Sequence, residues 1–99
     1  MAKYRKKPVV IEAFQMTEER RWNNVDWPEW LNEAWNKAVG DDGCLWCDAE
    51  PPHRNLHIST LEGVLDVSFG DFIIQGMEGE LYPCKRTIFK KTYESAYTD

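Results

Sequence analysis

An α+β domain is the fold class this sequence predicts: a largely antiparallel sheet of about five or six short strands, packed by a Trp-rich helix and a C-terminal helix. Three observations carry that reading. Short β-rich runs broken by Gly-containing turns fill residues 56–84, the signature of an antiparallel meander. Apolar residues recur at helical spacing from Trp27 to Ala38 and again from Phe89 to Tyr97, which places one helix before the meander and one after it. The 99 residues contain no internal repeat and no dividing linker, so they form a single domain over 1–99. A chain of this size buries roughly 65% of its extended surface, enough for one core with a small stability margin.

Each element follows from its local pattern. Val9 to Met16 alternates loosely, with Val10, Phe14 and Met16 on one side and Val9, Ile11 and Ala13 on the other, as in a strand covered in part on both faces. The stretch "WNNVDWPEWLNEAWNK", residues 22–37, then carries four of the five tryptophans. Asp26-Trp27-Pro28-Glu29 has the form of a helix start: Asp26 as cap, Pro28 in the first turn and Glu29 closing a capping box. From there Trp27, Trp30, Leu31, Ala34, Trp35 and Ala38 line one helical face, and Gly40 ends it. Such a stripe is a core face, which assigns Trp30, Leu31 and Trp35 to the interior. Trp22 and Trp27 lie at its edge and are expected at the surface.

After the acidic turn Gly40-Asp41-Asp42-Gly43 comes a short apolar piece, Cys44 to Cys47, and a loop stiffened by Pro51-Pro52. Strands are expected over Leu56 to Thr60, Val64 to Phe69, Phe72 to Gln75 and Glu80 to Cys84, with turns at Leu61–Gly63, Gly70-Asp71 and Gly76–Gly79. Asp71 reads as a turn former whose carboxylate caps nearby N–H groups. Phe89, Tyr93, Ala96 and Tyr97 define the final helix, with Thr87 as its cap.

Composition excludes several function classes. The net charge is −5 and the pI about 5.0, which disfavours direct nucleic-acid binding, since that normally requires a positive field. The charge is unevenly spread. Residues 1–21 hold six Lys/Arg against three Asp/Glu, whereas residues 22–66 hold two against nine. The apolar runs Val9-Val10-Ile11 and Phe72-Ile73-Ile74 are far too short to span a bilayer. No secretory h-region follows the basic start, so the expected compartment is the cytoplasm. Three cysteines, an odd number, fit reduced thiols better than a disulfide framework.

The residues that could carry chemistry are few. Cys44-x2-Cys47 followed by His53-x3-His57 supplies zinc-type ligands at correct half-spacings. The five-residue gap between the halves, which contains Pro51 and Pro52, is much shorter than the dozen or so residues of a zinc finger. The expectation is therefore no metal and no other cofactor, with two small buried cysteines and two loop histidines. Cys84 lacks a helix N-terminus to activate it. No phosphate-binding glycine loop and no H-E-x-x-H motif is present, so no catalytic residue is assigned and the chain is not read as an enzyme. The N-terminal Lys3-Tyr4-Arg5-Lys6-Lys7 reads as a charged lead-in to an edge strand. Binding is the better-supported class. Trp22 and Trp27 are the expected anchors, because indoles dominate interface hot spots. Asp41, Asp42, Asp48 and Glu50 form their charged surround, suited to a basic partner surface.

The opening "YRKKPVVIEAFQMT" and the closing "FGDFIIQGMEGELYPCKRTIFKKTYES" resemble small proteins encoded by tailed bacteriophages and prophages, related to the group named for a PGDYG motif. In that group a Gly-Asp-aromatic step leads a strand, a Gly-Glu-x-Tyr-Pro step forms the next, and a Phe-x3-Tyr helix follows. Here these read Gly70-Asp71-Phe72, Gly79-Glu80-Leu81-Tyr82-Pro83 and Phe89-x3-Tyr93. Phe69 stands for the motif's proline, Phe72 for its tyrosine and Ile73 for its last glycine. The resemblance implies a phage accessory protein acting in the host cytoplasm, and brings no catalytic residue with it. The functional expectation is thus a protein that binds a host protein or complex, such as an inhibitor of a host defence system (an anti-CRISPR or similar anti-defence protein). The alternative is a small-ligand (nucleotide) binder or enzyme with its pocket between the sheet and the Trp helix.

Overall fold

The computed structural model of the protein describes residues 2–5, 7–48 and 55–96. Six strands and three helices form the α+β fold: β1 (Glu12–Gln15), α1 (Glu18–Asn23), α2 (Glu29–Trp35), β2 (Leu45–Cys47), β3 (Leu56–Thr60), β4 (Gly63–Val67), β5 (Phe72–Gln75), β6 (Leu81–Cys84) and α3 (Arg86–Thr92). All pairings are antiparallel, but the strands divide into two three-stranded sheets, β1-β5-β6 and β2-β3-β4.

Side-chain alternation explains the core. Phe14, Ile73 and Leu81 from the first sheet meet Leu45, Leu56, Ile58 and Val67 from the second, and Trp27, Leu31 and Ala34 close the cluster. The register puts Phe14 opposite Ile73 and Leu45 opposite Ile58, so one face of each sheet is apolar by construction. The far face of the first sheet carries Phe72 and Ile74. Phe89 of α3 stacks flat on Phe72, at 3.8 Å between ring centroids and 7° between planes, and Tyr93 stacks on Phe89 at 4.9 Å. Offset and parallel aromatic contacts of this kind add to their area burial.

Several expected boundaries shift, each for a local reason. Helix α1 was not expected, yet Thr17 caps it through Oγ1, which accepts from Arg20 N at 3.2 Å. Helix α2 starts at Glu29 rather than at Trp27. Asp26 sits at φ 61°, in the left-handed region, and makes no cap; Pro28, extended, occupies the cap position. The helix stops at Trp35, so Ala38 leaves the apolar face. Strand β1 begins only at Glu12, because its partner β5 ends at Gln75 where the Gly76–Gly79 turn starts. Helix α3 is capped at Lys85, places Thr87 inside its first turn and ends at Tyr93, which is extended; Tyr97 lies outside the described residues. Asp71 acts as expected: its buried carboxylate accepts from Ser68 N at 2.9 Å and meets Lys85 Nζ at 3.4 Å. Gly70 in that turn has φ 95°, a conformation that strains any residue with a Cβ.

Trp27 corrects the expectation made for it. It is 8% exposed, its Nε1–H donates to Arg20 O at 2.8 Å, and its ring meets Trp35 edge-on at 5.8 Å. Lying just before α2 rather than on its first turn, it folds inward into the gap between α1 and α2. Leu31 is fully buried, while Trp30 and Trp35 are half-buried against the core. The indoles of the Trp segment are therefore mainly interior, and only Trp22, 50% exposed, faces outward.

Candidate functional site

The capping of α1 decides where Trp22 goes. Thr17 starts the helix one turn before Arg20 and Arg21, so that Arg21 points inward and is buried, with Trp22 beside it at the surface. The Arg21 guanidinium lies over the Trp22 ring at 4.9 Å and over the Trp35 ring at 4.8 Å. Its Nη2 donates to Cys47 Sγ at 3.5 Å, and its Nε finds no acceptor among the described residues. Among the described residues no carboxylate pairs with it. Ring quadrupoles and a soft sulfur thus stand where a buried arginine usually meets an acid. This stack fixes Trp22 from beneath.

Phe69 completes an exposed aromatic pair. It is 51% exposed and meets Trp22 edge-on at 6.4 Å. Its position follows from the Ser68–Asp71 turn, which Met16 clamps through Gly70 N to Met16 O (2.8 Å) and Met16 N to Asp71 O (2.9 Å). A shallow cleft of about 250 Å³ opens beside it, lined by Asn55, Leu56, Val67, Ser68 and Phe69.

Next to the cleft, on the outer face of the second sheet, His57 is held between two carboxylates. Nε2 lies 2.8 Å from Asp48 Oδ1 and Nδ1 lies 2.8 Å from Asp66 Oδ1. Trp46 covers the imidazole at 4.4 Å between centroids and donates its own N–H to Ser59 Oγ at 3.0 Å. Burial alone pushes His57 down; the bonds to Asp48 and Asp66 and their charges together outweigh it, and the net shift is above the usual 6.5. With both nitrogens facing carboxylates, the arrangement suits the doubly protonated ring. It ties β2, β3 and β4 together and leaves neither nitrogen free to act as a base.

The two cysteines of the zinc reading part ways. Cys44 is fully buried and its thiol donates to Lys37 O at 3.3 Å. Burial first, then the charge of Asp41, pushes that thiol up, with Lys37 opposing. Cys47 faces Arg21, and His57 is committed to its aspartates; among the described residues no group of three metal-capable side chains converges. His53 lies outside the described residues. Burial and Asp71 likewise push the Cys84 thiol up, away from the thiolate a nucleophile needs.

Of the residues expected to bind a partner, the structure brings two to this face: Trp22, and Asp48 next to Cys47 on which Arg21 rests. Trp27 is withdrawn into the core. Asp41 and Asp42 are exposed but sit before β2, at the end opposite Asp48, where the Asp42 carbonyl accepts from Lys37 Nζ at 3.1 Å. They do not surround Trp22. Glu50 lies outside the described residues. Phe69, Asp66 and Asn55 belong to the face without having been singled out by sequence. The one signal for Phe69 was a large apolar residue immediately before a Gly-Asp turn, a place where polar residues are the rule. For Asp66 there was no signal, because only the β3–β4 register, His57 opposite Asp66, makes it a partner.

The space between α2 and the sheets, where a ligand pocket was the alternative expectation, is filled by Trp27, Leu31 and Ala34 packed with Leu45 and Ile58. Among the described residues, no helix is long and apolar enough to cross a membrane. No family model, no curated protein and no solved structure matches this chain.

Proposed function

We propose that this protein works by binding, and that its docking face is the exposed Trp22–Phe69 pair with the Asn55–Phe69 cleft, flanked by Asp48 and Asp66. The observation that carries the reading is the pair itself: two large aromatic rings, each about half exposed and in edge-on contact, with a buried guanidinium stacked under Trp22. A solvent-facing aromatic pair beside a cleft, near the Asp48–His57–Asp66 cluster, has the composition of an interface hot spot. The acidic flank selects a basic protein surface over a nucleic-acid backbone. The likeness to phage accessory proteins, carried by Gly70-Asp71-Phe72 and Gly79-Glu80-Leu81-Tyr82-Pro83, supports a host macromolecule as the partner. It makes interference with a host defence complex in the cytoplasm the role to test first.

The test is affinity capture from a bacterial host lysate, followed by measurement with the purified partner. Trp22→Ala combined with Phe69→Ala is expected to weaken binding at least about thirtyfold, the effect of losing one hot spot, with the fold retained by circular dichroism. Asp66→Lys is expected to slow association and flatten its salt dependence, while Asp41→Lys with Asp42→Lys leaves it unchanged. A partner that binds the double aromatic variant as tightly as the parent overturns this placement of the site. Turnover of a nucleotide or peptide abolished by one substitution overturns the binding reading altogether.

A further inference from the structure

At the other end of β5 from Phe69, a second cavity lies between the extended N-terminal segment, the β5–β6 turn and the residue that ends α3. It is an open groove of about 400 Å³, within the range of small-ligand sites. Its lining combines two kinds of surface. Val9, Ile11 and Met77 are aliphatic, and Tyr82 and Tyr93 add aromatic rings. The remaining side chains are the carboxylates of Glu78 and Glu80, and among the described residues no cation lines the groove.

The groove is shaped by local chemistry. Glu80 turns its carboxylate back over the hairpin, where Oε2 accepts from Glu78 N at 3.0 Å. Gly76 admits this because a Cβ there would meet the Glu80 carboxylate. Tyr93 is backed on one side by the Phe89–Phe72 stack, which fixes its ring without a flexible neighbour. Burial, then the hydrogen bond with Tyr93 and the charges of Tyr93, Glu80 and Cys84, push the Tyr82 phenol up to about 12, so the Tyr82 ring stays neutral at ordinary pH.

We propose that this groove binds a small alkylammonium cation. A cation with an apolar body matches every part of it: ring quadrupoles and carboxylates attract the charge, and the aliphatic walls take the methylene or methyl groups. An anion would face two carboxylates, and a neutral apolar ligand would leave them unused. The site is separate from the Trp22–Phe69 face and stands or falls without it.

Tetramethylammonium is the probe, titrated at constant ionic strength into the ¹⁵N-labelled protein, with neutral tert-butanol of similar shape as control. Saturable shifts are expected in the backbone amides of Val9, Ile11, Gly76–Tyr82 and Tyr93, with a dissociation constant on the order of millimolar. Tert-butanol should produce smaller, non-saturating changes. Glu78→Gln, an exposed substitution that leaves the fold intact, should weaken binding about fivefold, the worth of one nearby charge in water. Tyr93→Leu should weaken it further. No saturable shift up to 100 mM (an order-of-magnitude ceiling for a specific site), equal shifts with tert-butanol, or an unchanged affinity in Glu78→Gln would each overturn the proposal.

Discussion

Replacing His57 by Phe separates the two things this residue does, because an aromatic ring still packs against Trp46 while both carboxylate contacts are lost. The side chain of His57 is 13% exposed and that of Asp48 is 37% exposed, so their 2.8 Å contact is a partly sheltered, charge-assisted bond worth roughly 1.5–3 kcal/mol. Asp66 is 80% exposed, and its contact belongs with surface pairs at about 0.2–1 kcal/mol. Together they amount to about 2–4 kcal/mol when His57 is protonated, or a fall in melting temperature of order 8–30 °C for a domain of this size. The sign with pH follows from the direction of the shift. The folded-state pKa of His57 lies above the unfolded value, so the stabilisation is complete below about 6.5 and is lost as pH rises through the folded-state value. Neutral imidazole donates to only one of two carboxylates, so one contact becomes a lone pair facing an oxygen. Calorimetric melts of the parent and His57→Phe at pH 6, 7.5 and 9 therefore should show a large gap that narrows with rising pH. A gap that stays constant, or widens toward pH 9, would refute the assignment of a doubly bonded imidazolium.

Two further outcomes follow from the packing. Trp27→Ala should destabilise the protein by about 3–5 kcal/mol, since the residue is buried and hydrogen-bonded, whereas half-buried Trp30→Ala should cost less; urea unfolding distinguishes them, and the reverse ranking would contradict the inward position of Trp27. Arg21→Met should leave stability unchanged or raise it by about 1 kcal/mol, because a buried guanidinium with an unsatisfied Nε and no acid partner among the described residues gains little over an apolar chain of similar length. A loss of more than about 3 kcal/mol in that variant would mean that the cation–π stack on Trp22 and Trp35 is worth more than its geometry implies.

By itself the sequence determined the α+β class, the four short strands and their turns between residues 56 and 84, the turn role of Asp71 and the interior position of Leu31; the continuous meander it suggested is instead two hairpins in separate sheets. All of these rest on periodicities and turn residues that act within a few positions along the chain. Pairing choices lay beyond its reach. Whether the strands make one sheet or two depends on which edges meet, and alternation reads the same in both cases. Helix α1 was missed because its six residues are too few for a periodic pattern; only the Thr17 cap marks it. That omission misplaced Trp27, since the gap it fills exists only once α1 and α2 are set against each other. The candidate face was legible only in Trp22 and Asp48. Phe69 joins it from 47 residues away through the Met16–Gly70 clamp, and Asp66 joins through the register of β3 with β4. Local sequence carries the propensities of each segment, but which side chains become neighbours is decided by the energy of closing the whole core, and that energy is written in no single stretch of the chain.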